Sequence, residues 1–164
     1  MLVKHHSGFT LVELVIVLMI IAVMGWIIYP AYQGYITRMK IVQAITDITE
    51  MAETIHDQEV RTGVLGDGLD DAVDPKTGVG LGYDKRVDPW GFPYQYKNLR
   101  TLSNKGNGNA RQDKNLKPVN SDFDLYSFGP DGQSAPSITD AKSRDDVLRA
   151  RDGGFYGTAV DFDP

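Results

Sequence analysis

One long apolar run dominates the first part of the chain. Residues 8–29 read GFTLVELVIVLMIIAVMGWIIY and carry a single charge, on Glu13. A helix needs about 20 apolar residues to cross a bilayer, so this run is long enough to span one. Further along, apolar residues recur at alternating spacings of four and three residues, which predicts that the helix continues with one buried stripe. The stripe comprises Ile41, Ile45, Ile48, Ala52 and Ile55.

The polar positions set the limits of this helix. Four acidic residues fall between the apolar positions and are assigned to the polar face: Asp47, Glu50, Glu53 and Asp57. Gly63 is a natural stop, because glycine tolerates the left-handed conformation that often follows a helix. We therefore predict one helix through residue 62, with a membrane segment at 9–29 and a soluble half at 30–62.

Beyond residue 62 the pattern is that of a small β domain at 63–164. Residues 63–86 are rich in Gly, Asp and Pro and show no periodicity, which predicts a surface connection with solvated acidic turns. Short strands are predicted near 94–96 and 122–129. The predicted fold class is α+β: one long N-terminal helix, its soluble half packed on a small antiparallel sheet of three or four strands with long loops.

Composition and charge limit the classes of function that we predict for this chain. The 164 residues carry a net charge of −5, and without a long basic patch we predict no nucleic-acid partner. The chain has no cysteine, so a domain outside the cytoplasm would lack a disulfide, and a metal ion is the alternative staple for a loop-rich fold. Neither a phosphate-binding glycine loop nor a cysteine or serine nucleophile with its base is found, so we predict that the protein is not an enzyme.

Glu13 is the residue that most needs an explanation. A carboxylate in a membrane costs about 2.5–3.5 kcal/mol and usually has a partner. A cleavable secretory signal would have a shorter apolar core, and a plain membrane anchor would leave Glu13 unexplained. A buried core helix would explain neither the length nor the basic leader. The available cations are Lys4, upstream of the run, and a backbone amine freed by a cut just before Phe9.

These residues resemble the prepilin signal of type IV pilins and type II secretion pseudopilins. The motif is Gly8-Phe9-Thr10-Leu11-Val12-Glu13, after a short basic leader at 1–8. The resemblance implies that a prepilin peptidase cuts after Gly8 and methylates Phe9. It also implies that Glu13 neutralises the Phe9 amine of a neighbouring subunit during assembly. Pro30 stands where these proteins usually carry a proline, which kinks or loosens a helix.

Two later stretches resemble the major pseudopilin of type II secretion. The first is Asp88-Pro89-Trp90-Gly91-Phe92-Pro93-Tyr94, and the second is Phe123-Asp124-Leu125-Tyr126-Ser127 followed by Gly129 and Asp131-Gly132. In that family the second stretch opens a calcium loop that a pair of aspartates closes. The resemblance implies calcium ligands from three carboxylates and one backbone carbonyl: Asp131, Asp145, Asp146 and Phe128.

The calcium loop departs from the family pattern. Residues 133–144 make it longer than expected, and they include Lys142 and Arg144, two cations able to replace an ion. A second polar stretch, 100–120, is also longer than expected. The alternative interpretation is that Asp131 is a turn residue and that Asp145 and Asp146 cap a short helix near residue 147. The tail at 149–164 either packs against the domain or contacts a neighbouring subunit.

The resemblance as a whole implies a structural subunit. We expect a single-pass inner-membrane protein with a periplasmic C-terminal domain, assembling as a homopolymer into a periplasmic pseudopilus that drives type II secretion across the outer membrane. Its partners would be the prepilin peptidase, the minor pseudopilins and the inner-membrane assembly platform. The alternatives are a type IV pilin of a surface filament and a membrane-anchored periplasmic binding module.

Overall fold

The computed structural model describes residues 8–74, 76–101 and 109–163. Its regular elements are one helix, α1 (Leu11–Thr62), and four strands: β1 (Gln95–Asn98), β2 (Phe123–Ser127), β3 (Val147–Ala150) and β4 (Phe155–Thr158). The predicted α+β architecture is confirmed. Leader residues 1–7 lie outside the described residues, as does part of the 100–120 stretch.

The chain divides into two compact units, residues 1–38 and 39–164. In the first unit α1 carries only exposed side chains from Leu11 to Tyr35. The helix continues through Pro30, which has no N–H to donate to the carbonyl four residues earlier. In the second unit α1 ends at Thr62, and Gly63 follows with φ +71°. The Gly63 N–H donates to the Glu59 carbonyl at 2.8 Å, so the predicted glycine stop is confirmed.

The buried stripe of α1 follows the predicted register. Ile48, Ala52 and Ile55 are buried, Ile41 and Ile45 pack at the edge, and Ala44 and Met51 widen the stripe. The assignment of Asp47 to the polar face was wrong, because the residue is only 7% exposed. Two donors from the second unit satisfy this carboxylate, since Arg86 Nη2 lies 2.6 Å from Oδ1 and the Tyr94 hydroxyl lies 2.8 Å from Oδ2.

The sheet has the order β1-β2-β3-β4, and all neighbouring strands are antiparallel. Tyr126 of β2 pairs with Gln95 of β1 and with Leu148 of β3, which in turn pairs with Gly157 of β4. Four strands agree with the predicted three or four. Residues 147–150 form β3, so the short helix considered near residue 147 is absent. The tail supplies β4, so it is part of the domain.

Successive side chains of a strand point to opposite sides of a sheet, and in this domain both sides are covered. One face, here called the helix face, packs Phe123, Leu125 and Val147 against the stripe of α1. The opposite face, here called the loop face, packs side chains of β3 against residues from the long connections and the tail. Its buried members are Val119, Ile138, Leu148, Ala150 and Ala159. The long ordered loops therefore cover the loop face of the sheet, as α1 covers the helix face.

The connection at 63–86 contributes to the core, which its composition did not predict. Its buried residues are Leu65, Leu69, Ala72 and Tyr83. Two of them lie in single-turn 3-10 helices, Leu69–Asp71 and Tyr83–Lys85, which are too short to produce a periodic pattern. The acidic residues of this segment stabilise its turns: Asp71 Oδ2 accepts from the Asp67 and Gly68 N–H groups, and Asp74 Oδ1 from those of Lys76 and Thr77.

Candidate functional site

The N-terminal motif forms a helix cap. Thr10 precedes α1, and its hydroxyl accepts from the Glu13 N–H at 3.3 Å. Glu13 Oε2 in return accepts from the Thr10 N–H at 2.9 Å and from the Thr10 hydroxyl at 2.8 Å. This reciprocal arrangement is a capping box, in which a threonine and a glutamate three residues later satisfy two free N–H groups of the first turn.

The capping box gives Glu13 a role inside its own chain, which sequence reasoning missed. The signal was present, since Thr-x-x-Glu before an apolar run is a known start of a helix. Both Thr10 bonds reach the same carboxylate oxygen, Oε2. Beside this cap, Phe9 is 83% exposed, and among the described residues a Cβ built on Gly8 would meet no atom within 4 Å. The positions predicted for cleavage and methylation are therefore sterically open within the part of the chain that the structure describes.

The apolar run is the membrane candidate. Among the described residues, α1 is the one helix that is long and apolar enough to cross a membrane, by length and composition. None of its residues from 11 to 35 is buried by the chain. Large exposed apolar surfaces mark sites that bind lipid or another protein.

In the second unit, the Asp88-Pro89-Trp90-Gly91 turn is held by the Asp88 carboxylate. Asp88 is 3% exposed, and its Oδ1 accepts from the N–H groups of Trp90 and Phe92 at 3.0 and 2.9 Å. Gly91 adopts φ +97°, a conformation that favours glycine. The turn leads Tyr94 and Tyr96 onto the helix face, as the sequence predicted.

The two pseudopilin-like stretches of the second unit contact each other. The Ser127 hydroxyl, at the end of β2, donates to Asp88 Oδ2. A Cβ on Gly132 would lie 2.4 Å from the Phe92 ring, and one on Gly129 would lie 2.3 Å from the Asp145 carbonyl oxygen. Both glycines also have positive φ angles, +66° and +67°. The second motif therefore needs glycine at these positions for space as well as for backbone conformation.

The four residues predicted to bind calcium have different surroundings. Asp131 is exposed, and its Oδ1 accepts from the Gln133 N–H at 2.7 Å, which matches its interpretation as a turn residue. Asp145 Oδ2 accepts from the Asp131 N–H at 3.2 Å. Phe128 follows β2, with its ring 5.9 Å from that of Tyr126. Asp146 is fully buried and forms an ion pair with Arg111.

The Asp146 carboxylate is only partly satisfied. Its Oδ2 accepts from Arg111 and, at 2.6 Å, from the Ser134 hydroxyl, whereas its buried Oδ1 has no hydrogen-bond partner among the described residues. Burial raises the pKa of Asp146 to about 6, although the Arg111 charge and the hydrogen bonds from Ser134 and Arg111 oppose this shift. Lys142 and Arg144, the two cations that the sequence offered as replacements for an ion, are both exposed.

Comparison with known proteins adds evidence for both parts of the chain. Residues 3–29 match the family described as the prokaryotic N-terminal methylation motif. The type II secretion system core protein G of Pseudomonas aeruginosa is 29% identical over 151 residues, which cover 84% of this chain and 93% of that protein. The protein of the same name from Aeromonas hydrophila is also 29% identical, over 56% of this chain and 73% of its own length. The predicted resemblance to the major pseudopilins is confirmed.

Other similarities are less extensive. A fimbrial protein of Moraxella nonliquefaciens is 39% identical to the pseudopilin-like chain, but over 42% of this chain and 45% of that protein. No solved structure matches the chain. The higher identity of the fimbrial protein is thus confined to less than half of either sequence, whereas the similarity to core protein G extends over most of both.

The carboxylates predicted to bind calcium accept hydrogen bonds from other groups of the chain. Within residues 8–74, 76–101 and 109–163, no group of three or more acidic or histidine side chains is placed to hold a metal ion. The reason is visible at Asp146, whose Oδ2 is directed to a guanidinium and a hydroxyl group. Asp131 and Asp145 instead accept backbone N–H groups, which contribute to the conformation of the turn.

Proposed function

We propose that this protein is the structural subunit of a periplasmic pseudopilus that drives type II secretion across the outer membrane. It is made as a single-pass inner-membrane protein with its C-terminal domain in the periplasm. Cleavage after Gly8 by the prepilin peptidase and methylation of Phe9 prepare it for assembly with minor pseudopilins and the inner-membrane platform. The observation that supports this role most strongly is similarity to core protein G over 84% of the chain, which includes much of the globular domain.

Assembly follows from the exposed apolar surface of α1. A repeated head-to-tail contact produces a filament when the rotation between subunits does not close a ring. The amine of a cleaved neighbour would approach Glu13, and two charges that each lose hydration stabilise each other when paired. The capping box fixes the Glu13 side chain beside its own first turn before that partner arrives. The role is structural and involves no reaction catalysed by this chain.

Two alternative functions would require different features of the chain. A type IV pilin of a surface filament would share the N-terminal motif, and the similarity to the Moraxella fimbrial protein favours it to that extent. A membrane-anchored periplasmic binding module would need the apolar helix but no charge at Glu13. The limited coverage of the fimbrial protein makes the surface pilin the second candidate.

The decisive experiment separates the charge of Glu13 from its capping role. Glu13→Gln keeps a side chain that can complete a capping box but removes the negative charge, whereas Thr10→Ala removes the cap hydroxyl and keeps the charge. In cells that lack their own major pseudopilin, we expect Glu13→Gln to insert into the membrane but to abolish filaments and secretion of a reporter protein. Thr10→Ala should still support both, at a reduced level.

A separate substitution tests cleavage of the leader. Gly8→Leu should leave the leader attached, which a mass measurement of the purified chain detects, and filaments should not form. Normal filaments from Glu13→Gln would contradict the charge-pairing mechanism. Surface filaments without any secretion of the reporter would favour the type IV pilin, and a correctly processed Gly8→Leu protein would remove the prepilin interpretation.

A further inference from the structure

Arg111 is buried on the loop face of the sheet and contacts three groups of one loop. The residue is 3% exposed, and its guanidinium carbon lies 4.2 Å from the centre of the Tyr126 ring. Nη2 donates to Asp146 Oδ2, and Nη1 donates to the Ser134 hydroxyl and, at 2.6 Å, to the Ala135 carbonyl. All three acceptors belong to residues 133–146.

These acceptors are the kinds of atoms that would surround a hard cation. A calcium ion takes carboxylate and carbonyl oxygens, and here a carboxylate, a carbonyl and a hydroxyl oxygen all accept from one guanidinium. Arginine suits such a buried position because its charge is permanent and its donors lie in one plane. Three oxygens of the loop predicted to enclose an ion, one of them from the predicted ligand Asp146, are thus directed at a side chain of the protein itself.

The backbone of Arg111 is fastened to the sheet. Its N–H donates to Asp124 Oδ2 at 2.7 Å, and its carbonyl accepts from the Val119 N–H at 2.9 Å. Asp124 lies in β2, is 1% exposed and also accepts from the Asn120 side chain at 2.9 Å. The side chain of Arg111 therefore bonds to residues 133–146, and its backbone N–H bonds to β2.

We propose that Arg111 is a built-in cation that fastens residues 133–146 to the sheet, and that this domain consequently folds without calcium at that loop. The described part of the polar stretch, residues 109–120, places Arg111 on the loop face. These contacts of Arg111 belong to the folded domain of a single subunit and do not depend on polymerisation.

The first experiment measures thermal unfolding of the full chain in detergent, with excess calcium and then with a chelator. We expect the two midpoints of the wild-type protein to coincide. A bound calcium ion at about a hundred times its dissociation constant would raise the midpoint by roughly 10 °C. A calcium-dependent rise of that size would overturn the proposal.

The second experiment removes the guanidinium. Arg111→Met should lower the midpoint by about 10 °C, because Asp146 is left buried without its cation. Arg144→Met is the matched control, since it removes an exposed arginine of the same loop and should change the midpoint by about 2 °C or less. Equal effects of the two substitutions would contradict the role of Arg111.

A third variant protects the test against simple misfolding. Arg111→Met combined with Asp146→Leu removes both charges, and such replacement of a buried pair is often tolerated. We expect this double variant to recover at least half of the loss in midpoint, and to remain insensitive to the chelator. If the double variant instead loses as much in midpoint as Arg111→Met and Asp146→Leu lose separately, Arg111 and Asp146 do not act as a pair.

Hydrogen exchange gives a readout specific to the loop. Amides of residues 133–146 should exchange at the same rate with calcium and with the chelator in the wild-type protein. They should exchange at least tenfold faster in Arg111→Met, while amides of α1 near Ile48 change less. Loop exchange that responds to the chelator but not to Arg111→Met would overturn the proposal.

Discussion

The two faces of the sheet each bury an arginine, and the two arginines are satisfied differently. On the helix face, Arg149 lies 4.0 Å from the centre of the Phe123 ring and donates to both oxygens of Asp122, at 2.8 and 2.6 Å. On the loop face, Arg111 lies over Tyr126 and reaches only one oxygen of Asp146. The common feature is a guanidinium stacked on an aromatic ring of β2, which accommodates the charge inside the domain.

The difference between the pairs appears in the carboxylates. Burial disfavours the charge of Asp122, but the hydrogen bonds from Arg149 and from the Phe123 N–H outweigh it, so the pKa of Asp122 is lowered. For Asp146 burial prevails, and the pKa rises to about 6. A buried ion pair thus holds its charge firmly only when most lone pairs of the carboxylate are used. The helix face meets this condition, and the loop face meets it in part.

The largest effect is expected from breaking the helix-face pair. Arg149→Met leaves Asp122 without its bidentate partner beside the main apolar core, and loss of one partner of a buried pair costs about 3–5 kcal/mol. Chemical denaturation of the full chain in detergent would measure this loss. Arg151→Met, at an exposed arginine two residues later, is the control and should cost less than about 1 kcal/mol. A similar cost for both would refute the importance of the Asp122 pair.

A smaller effect is expected from the hydroxyl that completes the loop-face network. The Ser134 hydroxyl donates to Asp146 Oδ2 at 2.6 Å and accepts from Arg111. Ser134→Ala leaves both charged groups with one bond fewer, and we expect a loss of about 1.5–3 kcal/mol in the free energy of unfolding. Ser137→Ala, in the same loop, serves as the comparison, because its hydroxyl contacts only Thr139 among the described residues. A Ser134→Ala protein as stable as wild type would show that the network is dispensable.

The smallest effects concern pH, where the two carboxylates act in opposite directions. The lowered pKa of Asp122 contributes stability that is present above the pKa of the unfolded chain, about 4, and lost as the pH falls through the folded value. The raised pKa of Asp146 means that its ionisation costs stability as the pH rises from about 4 to about 6. Asp122→Asn should therefore flatten the acid limb of the stability profile, and Asp146→Asn should remove the decline between pH 4 and 6. Unchanged profiles in both variants would contradict the assigned pKa shifts.

The sequence predicted the helix face far better than the loop face. The stripe containing Ile48 repeats with the period of a helix, and Gly63 marks its end by a local rule, so both could be read without tertiary information. Arg111 and Asp146 are 35 positions apart, and each looks like an ordinary surface charge in its own segment. Asp47 was misassigned for the same reason, since its partners Arg86 and Tyr94 are distant in sequence. The capping box at Thr10 was the one local signal that could have been found and was not.

In the proposed assembly, Pro30 affects the free energy of transferring α1 from lipid to a filament. Lipid chains are about as apolar as leucine, so a helix that passes from a bilayer to similar helices gains little from the hydrophobic effect. The direction of such a transfer is then decided by the few polar groups that the two environments treat differently. In residues 11–35 these include the carboxylate of Glu13 and the carbonyl of Trp26, which the ring of Pro30 deprives of its usual donor. Even in an almost uniformly apolar helix, these two groups therefore have different free energies in lipid and in contact with protein.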